Sequence, residues 1–484
     1  MPACVLSASV LTRSIRRTLG AACVLAAFAS IASAQAPPTA VASAAAQPQV
    51  TAAPTLPAPP AAVPAAASPA VPVFNRVNQS LPSWLRVRGE FRERMEGFDN
   101  FAYTSGRDTT FFLTRVRLQA TVTPSKALAF VVQAQDGRVA NKTVGPTVAP
   151  FRDSFDLRMA YAEIGRATSR VAVRAGRQEL VYGDQRLLGH VQWLNGARTF
   201  DAAKVMVRGK KVNLEVFAAS VVTLNDTAFN KSDFEASRIA GAYATAGKLV
   251  PKASVEPYLY YRYGRSQRSE AGTLGDLQQT TMGVRWVGTL PARADYNVEL
   301  AVQRGSLGTD SIEAWAGHWM VRETLTRKYA VKAFGEFNHA SGDASGTDGV
   351  RGTFDQLYPT PHDKLGLADQ VGWRNVQHAR AGLEFTPRKG VAVSTSYHSF
   401  WLSNTKDALY NAGGVAVARV VGGAASGHVG QEIDAQVNWT VSPILSIASG
   451  YSHLVPGAFL TQATPGASYS SPYVMATYVL LADK

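Results

Sequence analysis

Between Ser83 and Lys484, apolar and polar residues alternate with a period of two in repeated segments of about ten residues. The segment LRVRGEFRERMEG (85–97) is an example, with apolar residues on one face at Leu85, Val87 and Phe91. Its opposite face carries only charged residues, at Arg86, Arg88, Glu90, Arg92 and Arg94. No run is long and apolar enough for a membrane-spanning helix, and no segment of helix length has a 3.6-residue period. The alternation therefore predicts strands with one apolar and one polar face.

The segments TRVRLQATV (114–122) and EIDAQVNWT (432–440) repeat this pattern. Eight short connections with turn residues separate such strands, at 123–127, 165–170, 209–211, 247–252, 288–294, 324–328, 386–390 and 441–443. Nine mostly longer connections alternate with them, at 96–109, 137–155, 181–199, 223–236, 264–277, 305–311, 340–373, 402–428 and 455–471.

Seventeen connections join 18 strands, and the segregation of short from long connections is typical of outer-membrane barrels. The sequence therefore predicts an all-β fold, an 18-stranded antiparallel transmembrane β-barrel with short periplasmic turns and long extracellular loops. Aromatic residues near strand ends are expected to lie in interfacial belts, at Trp84, Tyr258, Tyr260, Tyr261, Tyr263, Trp286, Trp401, Trp439, Tyr451, Tyr473 and Tyr478.

The N-terminal region predicts export. Residues 1–34 combine three arginines, a short apolar stretch and an A-x-A site, which is the pattern of a cleaved signal peptide. Residues 35–82 are rich in Ala and Pro and are expected to form a disordered periplasmic spacer before a barrel at 83–484. Both cysteines, Cys4 and Cys23, lie in the predicted signal peptide, so no disulfide is expected. The expected location is the bacterial outer membrane.

In lipid, the apolar faces must point outward and the charged faces must line a hydrated lumen, wide enough at 18 strands for an aqueous channel. The predicted pore-lining substrate path is basic: Arg86, Arg88, Arg92, Arg94, Arg115, Arg117, Lys204, Arg208, Arg262, Arg285, Lys332 and Arg380. The predicted inward acids are fewer: Glu90, Glu215, Glu256, Glu299, Glu336, Glu384, Glu432 and Asp434. The excess of bases favours an anion pathway; the alternative is that opposed charges brace the lumen.

Other chemistry is not indicated by the sequence. No nucleophile-elbow, zinc-protease, P-loop or dinucleotide motif is found, and the eight histidines have no metal-ligand spacing. No enzyme activity, cofactor, metal or nucleic-acid partner is therefore expected. A barrel-type outer-membrane hydrolase with a Ser/His pair remains a less favoured alternative.

Two long segments resemble the alginate-export outer-membrane proteins. GRQELVYGDQRLLGHVQWLNGARTFDAAKV (176–205) and GTFDQLYPTPHDKLGLADQVGWRN (352–375) resemble the two signatures of that family. LRVRGEFRER and ALYNAGG (408–414) add weaker matches. The resemblance covers about residues 83–480 and implies an 18-stranded barrel with a basic lumen. It also implies pore-mouth positions for Asp184, Arg186 and Trp193, on the predicted extracellular loop 181–199.

The function expected from these observations is passive passage, in the export direction, of an anionic polysaccharide or oligosaccharide such as alginate. The alternative is a general or substrate-preferring porin for small solutes. Expected partners are the polymer, outer-membrane lipid and periplasmic export components.

Overall fold

The computed structural model describes residues 76–165, 169–270 and 272–481. The fold is an antiparallel barrel of 18 strands, as the sequence predicts. The strands, β1 to β18 in chain order, are Leu85–Phe98, Thr109–Ser125, Leu128–Ala140, Asp153–Ile164, Val171–Gln178, Phe200–Arg208, Asn213–Thr223, Ser237–Val250, Ala253–Arg268, Leu274–Leu290, Ala294–Leu307, Asp310–Thr326, Val331–Ala340, Val376–Arg388, Val391–Leu402, His428–Ser442, Leu445–Pro456 and Tyr469–Leu481.

Smaller elements precede the first strand or lie in the connections between strands. They are helices Val77–Ser80 and Ala458–Ala463, 3-10 turns Phe101–Tyr103, Pro291–Arg293 and Lys328–Ala330, and short strands Lys231–Ser232, Val350–Arg351, Leu409–Tyr410 and Ala416–Ala418. None of the described helices is long and apolar enough to cross a membrane.

The barrel closes between its first and last strands. Strand β1 pairs with β2 along its full length and with β18 from Gly89 to Glu96. Before Gly89, the backbone of Val87 bonds to the side chain of Asn78 instead, with N–H to Oδ1 at 2.8 Å and Nδ2–H to C=O at 2.6 Å. One amide side chain thus substitutes for a neighbouring strand at the seam.

The two faces of the strands divide as the alternation predicts. Leu118 in β2 and Val437 in β16 are 52% and 40% exposed on the outer face, whereas Arg92 on the inner face of β1 is 3% exposed. Apolar side chains therefore cover the outside of the barrel, and polar and charged side chains fill the inside.

The facing of strand β4 changes along its length, so the alternation of its sequence cannot assign one facing to the whole strand. Phe155 and Leu157 point outward, 64% and 39% exposed, but Ile164 also points outward, 62% exposed. Odd-numbered residues are therefore outside at the start of the strand and even-numbered residues at its end. The pairing with β3 shifts register between Gln133 and Ala134, and such an irregularity reverses the facing of every following side chain.

The connections follow the predicted alternation of short and long with two exceptions. The short turns lie at 126–127, 165–170, 209–212, 251–252, 291–293, 327–330, 389–390 and 443–444, all at one end of the barrel. Long connections at the other end include 179–199, 341–375 and 403–427. The connections predicted at 264–277 and 305–311 are shorter than expected, because β9 and β10 are joined by residues 269–273 and β11 and β12 by only residues 308–309. Gly308, at φ +57°, allows this tight turn.

Three of the predicted belt residues face the lumen instead. Tyr258, Tyr260 and Tyr473 are 6%, 2% and 4% exposed and lie on the same side of their strands as inward polar residues. In a run of aromatic residues the sequence does not distinguish inward from outward positions, because aromatic side chains pack well both against lipid and inside a filled lumen.

The predicted signal peptide 1–34 and most of the predicted spacer lie outside the described residues. The end of that spacer, from Arg76, is described, and it includes the helical turn that carries Asn78.

Because Leu118 lies outward near the middle of β2, Leu118→Arg should destabilise the barrel by about 2–4 kcal/mol. Gln119→Arg is the matched control, since Gln119 faces the lumen and bonds to Gln133. Heat-resistant migration in gels and urea unfolding in lipid vesicles measure the difference. Equal stability of the two variants would contradict the assignment of faces.

Candidate functional site

The lumen contains chain from the long loops. The 179–199 loop contacts β1 and β2 on one wall, and its Arg186 donates to Glu336 Oε1 of β13 at 3.0 Å. Strands β1 and β13 are far apart around the barrel, so this loop crosses the lumen from wall to wall. Leu188, Val191 and Leu194 in the loop are 1%, 1% and 4% exposed.

Arginines of β1 and β2 hold the loop through its backbone. Arg92 donates to the carbonyls of Gln192 and Trp193, both at 2.6 Å, and Arg94 donates to the carbonyl of Trp193 at 2.6 Å. Arg115 donates to the carbonyls of Gln192 and Leu194 at 2.6 and 3.0 Å. The arginine stripe that dominates the sequence is therefore the attachment surface of the loop.

Asn195 provides a second attachment at the same wall. Its Nδ2 lies 2.8 to 3.2 Å from the backbone carbonyls of Thr114, Arg138 and Phe151, and its Oδ1 accepts from Arg92 at 3.1 Å. The residue is fully buried. A single amide thus joins the loop to β2, to β3 and to the neighbouring 141–152 loop.

The 341–375 loop lies against the first loop and completes the filling. Its Tyr358 N–H donates to the carbonyl of Leu187 at 2.9 Å, and Gly189 N–H donates to the carbonyl of Tyr358 at 2.9 Å. On the barrel wall, Arg262 of β9 pairs with Asp355. The two loops form one hydrogen-bonded unit within the lumen, which we call the lumen plug (residues 179–199 and 341–375).

Strand β16 holds the other end of the second loop. Ala368 N–H donates to Glu432 Oε1 at 2.9 Å, and Leu367 N–H donates to Asp434 Oδ2 at 3.0 Å. Two of the predicted inward acids are therefore attachment points for the plug.

Trp193 lies at the centre of these contacts. The Arg94 guanidinium is 3.6 Å from the centre of its ring, and the His362 ring stacks on it at 4.2 Å. Two groups so close to one ring centre must take opposite faces. Tyr473 of β18 meets the ring edge-on at 4.6 Å. Trp193 thereby joins the barrel wall to both loops of the plug.

A cavity of about 450 Å³ remains between the plug and the short-turn end of the barrel. It extends from Gln192 and Trp193 to Thr440 and Ser446, which flank the turn at 443–444. Its charged lining is mostly basic: Arg88, Arg92, Arg115, Arg117, Arg158, Glu90 and Glu179.

The two acids of the cavity are each taken by one base. Glu90 accepts from Arg115 at 2.7 Å, and Glu179 pairs with Arg158. Burial alone would raise the pKa of the Glu179 carboxyl, but Arg158 and other nearby cations lower it below its usual range. Arg88, Arg92 and Arg117 have no carboxylate partner among the described residues. The cavity therefore carries three uncompensated positive charges.

The remaining predicted pore-lining bases are distributed around the wall. Three of them form ion pairs: Lys204 with Glu215 at 2.9 Å, Arg285 with Glu256 at 2.8 Å, and Arg380 with Glu336 at 3.4 Å. The side chains of Arg86 and Arg208 donate to the backbone carbonyls of Pro82 and Ser169 at 2.7 and 3.1 Å. Lys332 also lies on an inward position, opposite Glu384 of β14. These bases are not brought together with the arginines of the cavity.

The predicted pore-mouth residues lie inside the lumen. Arg186 and Trp193 are 5% and 9% exposed. Asp184 lies beside Arg186 and Lys364, at 3.3 and 3.4 Å. Burial alone would raise the pKa of the Asp184 carboxyl, but these two cations hold it well below its usual range. Asp184 therefore joins the two loops of the plug through Lys364, whereas Arg186 also joins the first loop to the barrel wall through Glu336.

Sequence reasoning missed Arg158, Glu179 and Asn195. Arg158 lies within the register shift of β4, between Leu157 and Met159, where the alternation does not assign a facing. Glu179 and Asn195 lie in a loop, and a loop has no regular alternation from which the side chains that contact the wall could be predicted. The available signal was the density of polar residues in a loop that also carries Leu187, Leu188 and Leu194.

A second buried polar network runs along β14 to β16. Ser396 Oγ and Asp434 Oδ2 lie 2.9 and 3.1 Å from the same nitrogen, Nε2 of His398, while Nδ1 of His398 faces His378 at 3.0 Å. A hydrolytic triad needs the acid and the nucleophile on opposite ring nitrogens, so this set is not arranged as one. No group of three or more His, Cys, Asp or Glu with metal-binding geometry occurs within the described ranges.

The chain is similar to known proteins both in sequence and in fold. A sequence model described as alginate export matches residues 83–474. Among solved structures, a BenF-like porin from Pseudomonas fluorescens Pf-5 is 10% identical with a TM-score of 0.57, covering 82% of this chain and 98% of that chain. Pseudomonas aeruginosa OccK2 (OpdF) is 11% identical with a TM-score of 0.55, at the same coverages.

Pseudomonas aeruginosa OpdQ is 12% identical with a TM-score of 0.55, covering 82% of this chain and 97% of that chain. At such identities the likeness concerns the fold alone. No sequence among the curated proteins compared matches the chain.

Asn195→Ala should loosen the lumen plug, because it removes the amide that joins the loop to three backbone carbonyls. We expect larger and more frequent current steps in planar bilayers than in the unmodified protein. Asn100→Ala, in the long connection between β1 and β2, is the control for losing an amide away from the plug. Unchanged single-channel currents in a folded Asn195→Ala barrel would show that the plug is held elsewhere.

The plug should also respond to pH through His362, whose Nδ1 is 2.9 Å from Asp369 Oδ2. Burial alone would lower the pKa of the His362 imidazole. The neighbouring Asp369 carboxylate has the larger effect and raises this pKa above its usual value. A raised pKa in the folded state contributes stability below the ordinary histidine pKa of about 6.5, and this is lost as pH rises through the higher folded value. Current fluctuations should therefore increase as pH rises above the ordinary histidine pKa of about 6.5. His362→Gln should flatten this profile; an identical profile in both proteins would exclude the pair as the cause.

Proposed function

The chain belongs to the alginate export family of outer-membrane barrel proteins, and from this we propose that it is a channel for the outward, passive passage of an anionic polysaccharide such as alginate. The observation that carries the proposal is the basic cavity in the lumen. Arg88, Arg92 and Arg117 line it without a carboxylate partner in the described part of the chain, and a polymer of carboxylates would supply the missing charge.

Donor atoms without acceptors on four arginines of the cavity support an oxyanion ligand. Nη2 of Arg117 and the Nε atoms of Arg92, Arg115 and Arg158 are buried and have no acceptor among the described residues. Guanidinium groups present donors in a planar arrangement that matches a carboxylate. Each uronate unit would provide acceptors for donors that the protein leaves without partners.

In this proposal the lumen plug is the gate. A polymer chain needs a continuous path, so the 179–199 and 341–375 loops must leave the lumen or separate during transport. The attachment of the 179–199 loop to β1 and β2 through arginine-to-carbonyl bonds suits such a role, because an anionic polymer competes for the same guanidinium groups. Binding of the substrate and release of the loop then use the same side chains.

The proposed orientation of the barrel in the membrane places the cavity on the periplasmic side. The signal peptide 1–34 is removed on export, the short turns face the periplasm, and the spacer 35–82 lies there. The cavity then faces the compartment from which a polymer is exported, where export components would deliver it. The chain acts as a channel and not as an enzyme.

A porin for small anionic solutes is the second candidate. The observation that favours it is the filled lumen, since a cavity of about 450 Å³ accommodates a small carboxylate without movement of the plug. The two candidates differ in their dependence on chain length. A polymer channel is blocked more strongly by longer oligouronates, whereas a small-solute porin responds equally to monomer and oligomer.

Arg88→Glu tests the role of the cavity in selectivity. Arg88 is exposed in the lumen and holds no part of the plug, so its replacement should leave the fold and the gate intact. We expect the reversal potential in a salt gradient to move toward cation preference. Block by oligouronates should weaken, as it should for the unmodified channel when salt rises from about 0.1 M to about 1 M.

Arg107→Glu, exposed in a long connection, is the control for the same charge change outside the cavity. It should retain the selectivity and the block of the unmodified channel. If Arg88→Glu and Arg107→Glu behave alike, the cavity does not set selectivity, and the proposed anionic substrate loses its support.

A further inference from the structure

The short-turn end of the barrel carries a ring of unpaired positive charge. Seven of the eight short turns contain at least one described Lys or Arg, and none contains Asp or Glu. We call these nine residues the basic rim: Lys126, Arg170, Lys210, Lys211, Lys252, Arg293, Arg327, Lys328 and Lys389. All nine are exposed.

The opposite end of the barrel has a different balance. In the nine connections there, acidic residues outnumber basic residues by 14 to 11, and several form ion pairs such as Arg152 with Asp226 and Arg419 with Asp407. None of the basic rim residues takes part in an ion pair within the described part of the chain. The two ends of the barrel therefore differ both in their balance of acidic and basic residues and in whether those residues form ion pairs.

Acids near the rim do not compensate it. Glu163 is held by Arg174 of the inner wall, and Asp295 and Glu384 are held by Arg322. Glu323 is exposed near the end of β12, one carboxylate against nine cations. Like charges arranged around one rim repel each other unless counter-charge lies beside them.

The rim residues are placed beside the lipid-facing surface of the barrel. Ile164 and Val171, 62% and 50% exposed, flank the turn with Arg170, and Leu290, 45% exposed, precedes the turn with Arg293. The Lys328 ammonium lies 5.1 Å from the ring centre of Tyr329, which is 52% exposed. Basic side chains that border an apolar outer surface reach the depth of lipid headgroups.

We propose that the basic rim binds the phosphate groups of anionic phospholipids in the adjoining leaflet, as an annulus around the short-turn end of the barrel. Charge complementarity and the neighbouring apolar surface favour lipid over a polymer in the lumen, because the turns lie at the edge of the wall. This role is independent of what passes through the channel.

The test compares the unmodified full chain in detergent micelles that contain increasing fractions of phosphatidylglycerol or of zwitterionic phosphatidylcholine. The unfolding temperature should rise with phosphatidylglycerol well above its value in phosphatidylcholine, and high salt should remove most of this difference. In the rim variant, with Lys126→Gln, Lys210→Gln, Lys211→Gln and Lys389→Gln, the difference should fall to less than half.

The control variant removes the same charge from the other end, with Arg107→Gln, Lys231→Gln, Arg265→Gln and Lys406→Gln, all exposed positions. It should keep the full response to phosphatidylglycerol. Equal unfolding temperatures of the unmodified protein in both lipids, or an undiminished response of the rim variant, would overturn the proposal. A rim variant that keeps the lipid response but loses block by oligouronates would assign the rim to the polymer instead.

Discussion

The structure depends on a single requirement, that every backbone N–H and C=O within lipid must find a partner in the protein. Closure between β1 and β18 satisfies it around the wall. Where that pairing stops, the side chain of Asn78 bonds to both polar groups of Val87. Once the wall is closed, the alternation of side chains sends one set of residues to lipid and the other into an enclosed space, so the charge of the lumen follows from the closure.

That enclosed space explains how the lumen charges are arranged. Arginines inside a barrel need acceptors, and the wall of β1 and β2 offers few carboxylates besides Glu90 and Glu96. The carbonyls of residues 192–194 supply the acceptors instead. The basic wall and the inward loop therefore stabilise each other. Where the loop does not reach, the cavity begins, and single nitrogens of Arg92, Arg115, Arg117 and Arg158 remain without acceptors among the described residues.

Much of the architecture could be predicted from the sequence, because alternation and connection length are local properties. The strand number, the outward Leu118 and the inward Arg92 follow from them directly. The folding of the loops into the lumen could not be predicted, since it depends on contacts such as Arg186 with Glu336, which are 150 residues apart in the chain. Strand β4 was ambiguous for a different reason, because a shift of pairing changes its facing midway. The basic cavity lies where these two unpredictable features meet.

The way in which β1 and β2 hold the 179–199 loop has an evolutionary consequence. The acceptors at residues 192, 193 and 194 are backbone carbonyls, which every amino acid possesses. Leu194 can therefore change in descendants of this gene without loss of these bonds, whereas Gln192 also bonds through its side chain to Arg117 and Glu179. Asn195 and the arginines that donate to the loop cannot change so freely, because their side chains make the bonds. Substitutions at position 194 can therefore change the loop surface while the bonds from the wall to its backbone are kept.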